Sequence, residues 1–279
     1  MKTILITGAT EGVGKATALA LAQQGHRLIL HGRNADKLNT VISELKATTS
    51  NARLEPIVAD FSSLEAVTAM AQTLLDTYDR LDVLINNAGA MFSHRQVSQD
   101  GFEQMVTINY LAPYLLTEKL LPLLRATPNS RIVNVSSVGY KSAKPNFDDF
   151  MAEQHYNMQR DYFNSKLYGL YHTLDLAEQL KTDGITVNAV HPGGVQTQLA
   201  RDFKGGMKFL FNLMMPLFFV SPEKGAETSV YVATNDEVAG LTGQYFVKKK
   251  PEKLLPIGTD SANRARLRTL TWQYLAPYL

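Results

Sequence analysis

Tyr162 and Lys166 stand four residues apart in a segment whose apolar residues recur at helical spacing, so the phenol and the ammonium share one helix face. A free tyrosine ionises near pH ~10, and a cation close by favours phenolate, moving the group toward the range where general acid/base work is efficient. The pair has the makings of a proton donor and acceptor for a substrate oxygen. Ser136 and Ser137 close the β-rich run that starts at Arg131, and a hydroxyl at that place can hold a carbonyl. Tyr-x-x-x-Lys is a common spacing on amphipathic helices, and its weight comes from the company it keeps.

That company begins at the N-terminus. Gly8, Ala9, Thr10, Glu11, Gly12, Val13 and Gly14 follow a short apolar run and open a helical pattern, which puts glycines where backbone must approach a pyrophosphate and amides can bind it. A tight turn with close helix packing is the alternative for the glycines alone. An NAD-selective site would carry Asp or Glu near the end of the second strand, and here stand Gly32 and Arg33. A guanidinium there can pair with a 2′-phosphate, which favours NADP(H) over NAD(H), although a solvated arginine opening the next helix would look the same. Asp60 and Phe61 close the third strand, and Asn87, Ala88 and Gly89 the fourth. Asp60 either accepts from an adenine amino group or caps the following helix, and Asn86 and Asn87 either meet the cofactor or tie strands together.

The elements that must position these residues alternate from the start. Strand-like runs at Thr3–Ile6, Arg27–His31, Arg53–Ala59, Leu81–Asn86, Arg131–Ser136 and Ile185–His191 are separated by helical patterns at Val13–Gln23, Ala35–Leu45, Leu64–Leu75, Phe102–Leu124 and Phe163–Leu180. Such alternation predicts an α/β fold, a Rossmann-type doubly wound parallel sheet in three αβα layers, as a single domain over residues 1–279. Gly139–Arg160 and Thr197–Ser221 fit the alternation poorly and are where specificity is expected. With 28 Lys and Arg against 26 Asp and Glu, net charge +2, nothing favours nucleic acid as a partner. The absence of cysteine excludes disulfides and thiolate chemistry, and with an N-terminus that reads as a strand it leads us to expect a cytoplasmic protein. The longest apolar run, Phe209 to Val220, holds Asn212 and Pro216 and is too short to span a bilayer, while leaving room for peripheral membrane contact. The six histidines show no metal-binding spacing, so no catalytic metal is expected.

Taken in order, Thr7 to Gly14, Asn86 to Gly89, Asn109 within Thr107 to Tyr110, Ser137, Tyr162 with Lys166, and Pro192 to Thr197 resemble the short-chain dehydrogenase/reductase family over nearly the whole chain. The resemblance implies that Tyr162 is the catalytic acid or base, that Ser137 orients the substrate oxygen with Ser136 as the alternative, and that Asn109 supports a water-linked proton relay. It implies that Lys166 lowers the Tyr162 pKa while bonding the nicotinamide ribose, and that Val195 and Thr197 hold the nicotinamide amide and nearby phosphate. The long interval from Gly139 to Asp161, with His191, Pro192 and Gly193, is similar to the retinol-dehydrogenase-like branch, whose members use NADP(H) on apolar alcohols and aldehydes. The expected activity is thus NADP(H)-dependent interconversion of a small apolar aldehyde or ketone and its alcohol. A silent NADP(H)-binding redox sensor and an epimerase or dehydratase on the same fold are the rivals. The first would usually lack the tyrosine or lysine, and the second would need a longer C-terminal part. Phe209 to Phe219 falls where the family carries its substrate-covering segment, with core helix and a subunit or membrane contact as alternatives; the resemblance allows a homodimer.

Overall fold

The computed structural model describes residues 1–194 and 220–279. The expectations for Val195 and Thr197, and nearly all of the segment at 197–221, lie outside the described residues.

The first strand, β1 (Thr3–Ile6), is buried at every position, as a strand covered on both faces must be. It feeds α1 (Gly12–Gln23), then β2 (Arg27–Gly32), α2 (Ala35–Thr49), β3 (Leu54–Val58), α3 (Leu64–Thr77) and β4 (Val83–Asn86). A short helical turn, α4 (Gln104–Val106), runs through a π-helical turn at Thr107–Leu111 into α5 (Ala112–Arg125), followed by β5 (Arg131–Val135). A 3-10 turn at Val138–Ser142 precedes α6 (Met158–Gln179) and β6 (Thr186–His191). Beyond come α7 (Pro222–Thr234), β7 (Tyr245–Val247), β8 (Lys250–Pro251), α8 (Pro256–Thr259) and α9 (Ser261–Leu275).

Among the described residues the strands form one eight-stranded sheet in the order β3-β2-β1-β4-β5-β6-β7-β8, parallel except for the β7-β8 pair. This is the predicted α/β architecture. The order reverses between β1 and β4, whose carboxyl ends therefore release their loops to opposite sides and leave a crevice. One face of the sheet is covered by α1, α2 and α7 through Leu21, Leu38, Val41 and Val232, the other by α3, α5 and α6 through Leu74, Leu115, Leu120 and Leu167. Both outer strands carry a proline, Pro56 in β3 and Pro251 in β8. The β7-β8 connection places Lys248 and Lys249 at φ 49° and 65°, the pair of left-handed residues that a two-residue hairpin of this hand requires.

Gly139–Arg160 is anchored to the core by its aromatic residues. Tyr140, Phe147, Phe150 and Met151 are buried, and Phe147 and Phe150 pack on the Tyr168 ring of α6. The C-terminal aromatic segment likewise packs on its own chain: Tyr274 meets Phe102 and Phe150, and Leu275 is fully buried. No helix among the described residues is long and apolar enough to cross a membrane.

Candidate active site

A cavity of about 580 Å³ opens at the carboxyl ends of the strands, above the reversal between β1 and β4. Of the cofactor residues expected from sequence, those described all line it: Gly8, Thr10, Glu11, Gly12, Val13, Gly14, Arg33, Asp60, Phe61, Asn87, Ala88 and Gly89. Ser137, Tyr162 and Lys166 line it as well. Asn109 reaches the group from behind, through the wall made by Gly89 and Ala90.

The glycine loop is shaped by contact. A Cβ on Gly14 would lie 2.1 Å from the Gly8 carbonyl oxygen and 2.5 Å from the Asn87 amide nitrogen, so only glycine permits α1 to start this close to the loop. Asn87 Nδ2 donates to the carbonyls of Thr7 at 2.8 Å and Gly8 at 3.1 Å, and the Thr7 hydroxyl accepts from the amides of Asn87 and Ala88. Asn86 Nδ2 donates to Thr117 at 3.0 Å and to Asn134 at 2.8 Å. Both asparagines therefore tie strands together, and Asn87 also faces the cavity.

Helix α1 starts unlike its neighbours. Asn34, Ser63 and Asn157 cap α2, α3 and α6 with their side chains, whereas Glu11 leaves the first amides of α1 without a side-chain cap. Its carboxylate pairs instead with Lys37 at 2.5 Å. The first turn of α1 carries no acidic residue, and its amides and dipole border the cavity, which fits a bound pyrophosphate. Arg33 stands exposed at the rim. Asp60 does not cap α3, since Ser63 does; its carboxylate accepts from the Ser62 amide at 2.9 Å while facing the cavity. These residues fit a nicotinamide dinucleotide.

At the other end, Tyr162 and Lys166 sit in the second and third turns of α6, a turn further into the helix than the apolar spacing suggests. Lys166 Nζ lies 5.7 Å from the Tyr162 ring centroid and donates to the Val135 carbonyl at 3.2 Å. Burial pushes Tyr162 up to about 12 and Lys166 down to about 8, and the hydroxyl that draws the phenol back is that of Ser137. The expected lowering of the phenol by Lys166 is thus not seen: its upward shift comes from desolvation, and Lys166 is not among the groups that act on it. Ser136 donates to the Lys166 carbonyl at 3.4 Å, so of the two serines it is Ser137 that meets the phenol. Ser137 also caps the 3-10 turn, accepting from the Gly139 amide at 3.1 Å.

Asn109 lies in the π-helical turn, whose extra residue interrupts the regular helical bonding. Its Oδ1 accepts from the Ala90 amide at 2.7 Å, and its Nδ2 donates to the Ala90 carbonyl at 2.9 Å and to Ser165 at 3.0 Å. A Cβ on Gly89 would lie 3.3 Å from both Asn109 Oδ1 and Lys166 Nζ, which shows how closely the two approach.

Three contributors were invisible in the sequence. His31 bonds the glycine loop, and His191 accepts from the Val138 amide at 3.3 Å, bracing the turn that carries Ser137. Tyr156 donates to the Phe92 carbonyl at 2.6 Å, which ties the 139–160 insertion to a residue of the cavity wall. Each contact joins distant parts of the chain, and only a lone histidine or tyrosine was there to signal it.

Comparison with known proteins agrees with this arrangement. The short chain dehydrogenase family model matches residues 2–207. Retinol dehydrogenase 14 of Homo sapiens is 41% identical over 281 residues, covering 95% of this chain and 84% of that protein. Among solved structures, an uncharacterised protein from Mycobacterium paratuberculosis superposes with TM-score 0.78 at 27% identity, covering 98% of this chain and 93% of its own. The RhlG/NADP active-site complex of Pseudomonas aeruginosa does so with TM-score 0.70 at 25% identity, covering 88% and 93%.

Proposed function

Since the chain belongs to the short-chain dehydrogenase/reductase family, as a retinol-dehydrogenase-like oxidoreductase of CH–OH and C=O groups using a nicotinamide cofactor, we propose that it uses NADP(H) to interconvert an apolar aldehyde or ketone and its alcohol, with Tyr162 as the proton donor and acceptor. The observation that carries this reading is the meeting of Ser137, Tyr162 and Lys166 in one cavity with the uncapped start of α1 and Arg33.

The cofactor supplies the hydride. The protein's residues supply everything that must happen to the substrate oxygen. A phenol held up at about 12 is neutral at pH 7, the form that donates a proton to a carbonyl oxygen as negative charge develops there. Ser137, whose hydroxyl acts on that phenol, is the second donor and would hold the carbonyl in line. Lys166 anchors the inner wall between Val135 and Gly89, where its amine would hold the ribose of a bound cofactor. Asn109 keeps that wall in register by gripping both backbone groups of Ala90. Met91, Phe92 and Ile108 line the cavity beside these groups and suit an apolar substrate. At the far end the Arg33 guanidinium suits a 2′-phosphate, and Lys37 pairs with the Glu11 carboxylate, which also lines the cavity.

The test is oxidation of NADPH and of NADH, followed at the nicotinamide absorbance, against a panel of apolar aldehydes and ketones, with Tyr162→Phe as control. The expected result is turnover with NADPH that falls at least about a hundredfold in the variant while cofactor still binds. A clear preference for NADH would remove Arg33 from its assigned role. Cofactor binding without turnover, identical in the variant, would replace the enzyme by a redox sensor.

A further inference from the structure

His31 is 3% exposed, lines the cavity and takes no part in the chemistry described so far. Its Nδ1 accepts from the Gly8 amide at 3.2 Å, and its Nε2 lies 3.0 Å from the Ala59 carbonyl oxygen. These partners decide the tautomer. An amide can only donate and a carbonyl can only accept, so the ring must be neutral with its proton on Nε2. The ring also stacks on Phe61, with centroids 4.3 Å apart and planes at 23°. Its own carbonyl accepts from the Ala9 amide at 2.8 Å. One residue at the end of β2 therefore grips the glycine loop twice and holds, by its far nitrogen and its face, the stretch from Ala59 to Phe61.

Both segments line the cavity, as does Arg33 at its rim. We propose that His31 is a positioning residue for the adenosine half of the cofactor, a neutral imidazole that sets the spacing between the Gly8 loop and the Ala59–Phe61 loop. The inference rests on the reading of this cavity as a dinucleotide site and goes beyond it by assigning a residue that touches the walls. Burial pushes the ring down to about 4 against the pull of the Ala59 carbonyl and of Asp60, so its Nδ1 lone pair persists at neutral pH. An apolar residue here would take the partners from a part-buried amide and a buried carbonyl and remove the ring that supports Phe61.

The experiment compares binding of ADP-ribose and of nicotinamide mononucleotide by calorimetry to the wild type, His31→Leu and His31→Asn. Asparagine places an acceptor near the position of Nδ1, and ADP-ribose lacks the 2′-phosphate, so the result does not depend on which dinucleotide is preferred. His31→Leu is expected to weaken ADP-ribose about tenfold and leave nicotinamide mononucleotide unchanged, with His31→Asn recovering most of the loss. Unmoved ADP-ribose binding overturns the inference, as does equal loss of both probes in both variants, the sign of a merely structural role. Wild-type protein that binds neither probe overturns the cofactor reading and the inference together. Nitrogen-15 NMR of the wild-type imidazole is independent of any variant: a neutral ring protonated on Nε2 is expected, and a charged or Nδ1-protonated ring overturns the assignment.

Discussion

Removing an ammonium from water disfavours its charge, and Lys166, 7% exposed, is held down to about 8 from an ordinary 10.5. The unfolded chain keeps the ordinary value. Between those two pH values the unfolded state binds more protons, so this residue makes stability rise with pH there, and below about pH 8 its full cost of about 3 kcal/mol is present. Lys166→Met is therefore expected to stabilise the protein by up to about 3 kcal/mol at neutral pH, with the gain shrinking as pH nears 10.5, while turnover is lost. Thermal unfolding at neutral and at alkaline pH checks this, and an unshifted midpoint at both would refute it. The same residues show where reading a sequence stops. Spacing placed Tyr162 and Lys166 on one helix face, but the direction of the phenol's shift depends on depth of burial, which spacing does not report. His31 was unreadable for another reason: its task exists only where three chain segments meet.

At the level of elements, the turn that presents Ser137 depends on a glycine. A Cβ on Gly139 would lie 2.2 Å from the Phe163 ring, a contact that must displace either the turn or the first turns of α6 that carry Tyr162. Gly139→Ala is expected to cost about 1–3 kcal/mol in chemical denaturation and to lower turnover more than cofactor binding. Adding Phe163→Leu should recover much of both losses, and a Gly139→Ala protein as stable and active as the wild type would contradict the geometry. Strands and helices up to β6 were legible to within a few residues because each has a clear period and a buried face. The π-helical turn at Asn109 was not, since one extra residue in a helix leaves the apolar pattern almost unchanged. Nor was the burial of Tyr140, Phe147 and Phe150, aromatic residues that follow neither period.

The order of elements was sufficient to predict a doubly wound sheet, because each crossover forces a parallel neighbour and the reversal creates the crevice. The last two strands escaped notice: three residues and two residues are too short to show alternation. They matter beyond completing the sheet. An outermost strand offers its free amides and carbonyls to any other chain that is still unfolded nearby, and here both outermost strands contain a residue with no amide to offer, Pro56 at one side and Pro251 at the other. Glu55 and Lys250 add a charge beside each proline. Pro56→Thr should fold and bind cofactor as before yet scatter light several-fold more strongly during refolding at high concentration; equal scattering would show that the side of β3 is guarded by something else. On this reading the two prolines are a safeguard against clumping during folding, a task separate from catalysis.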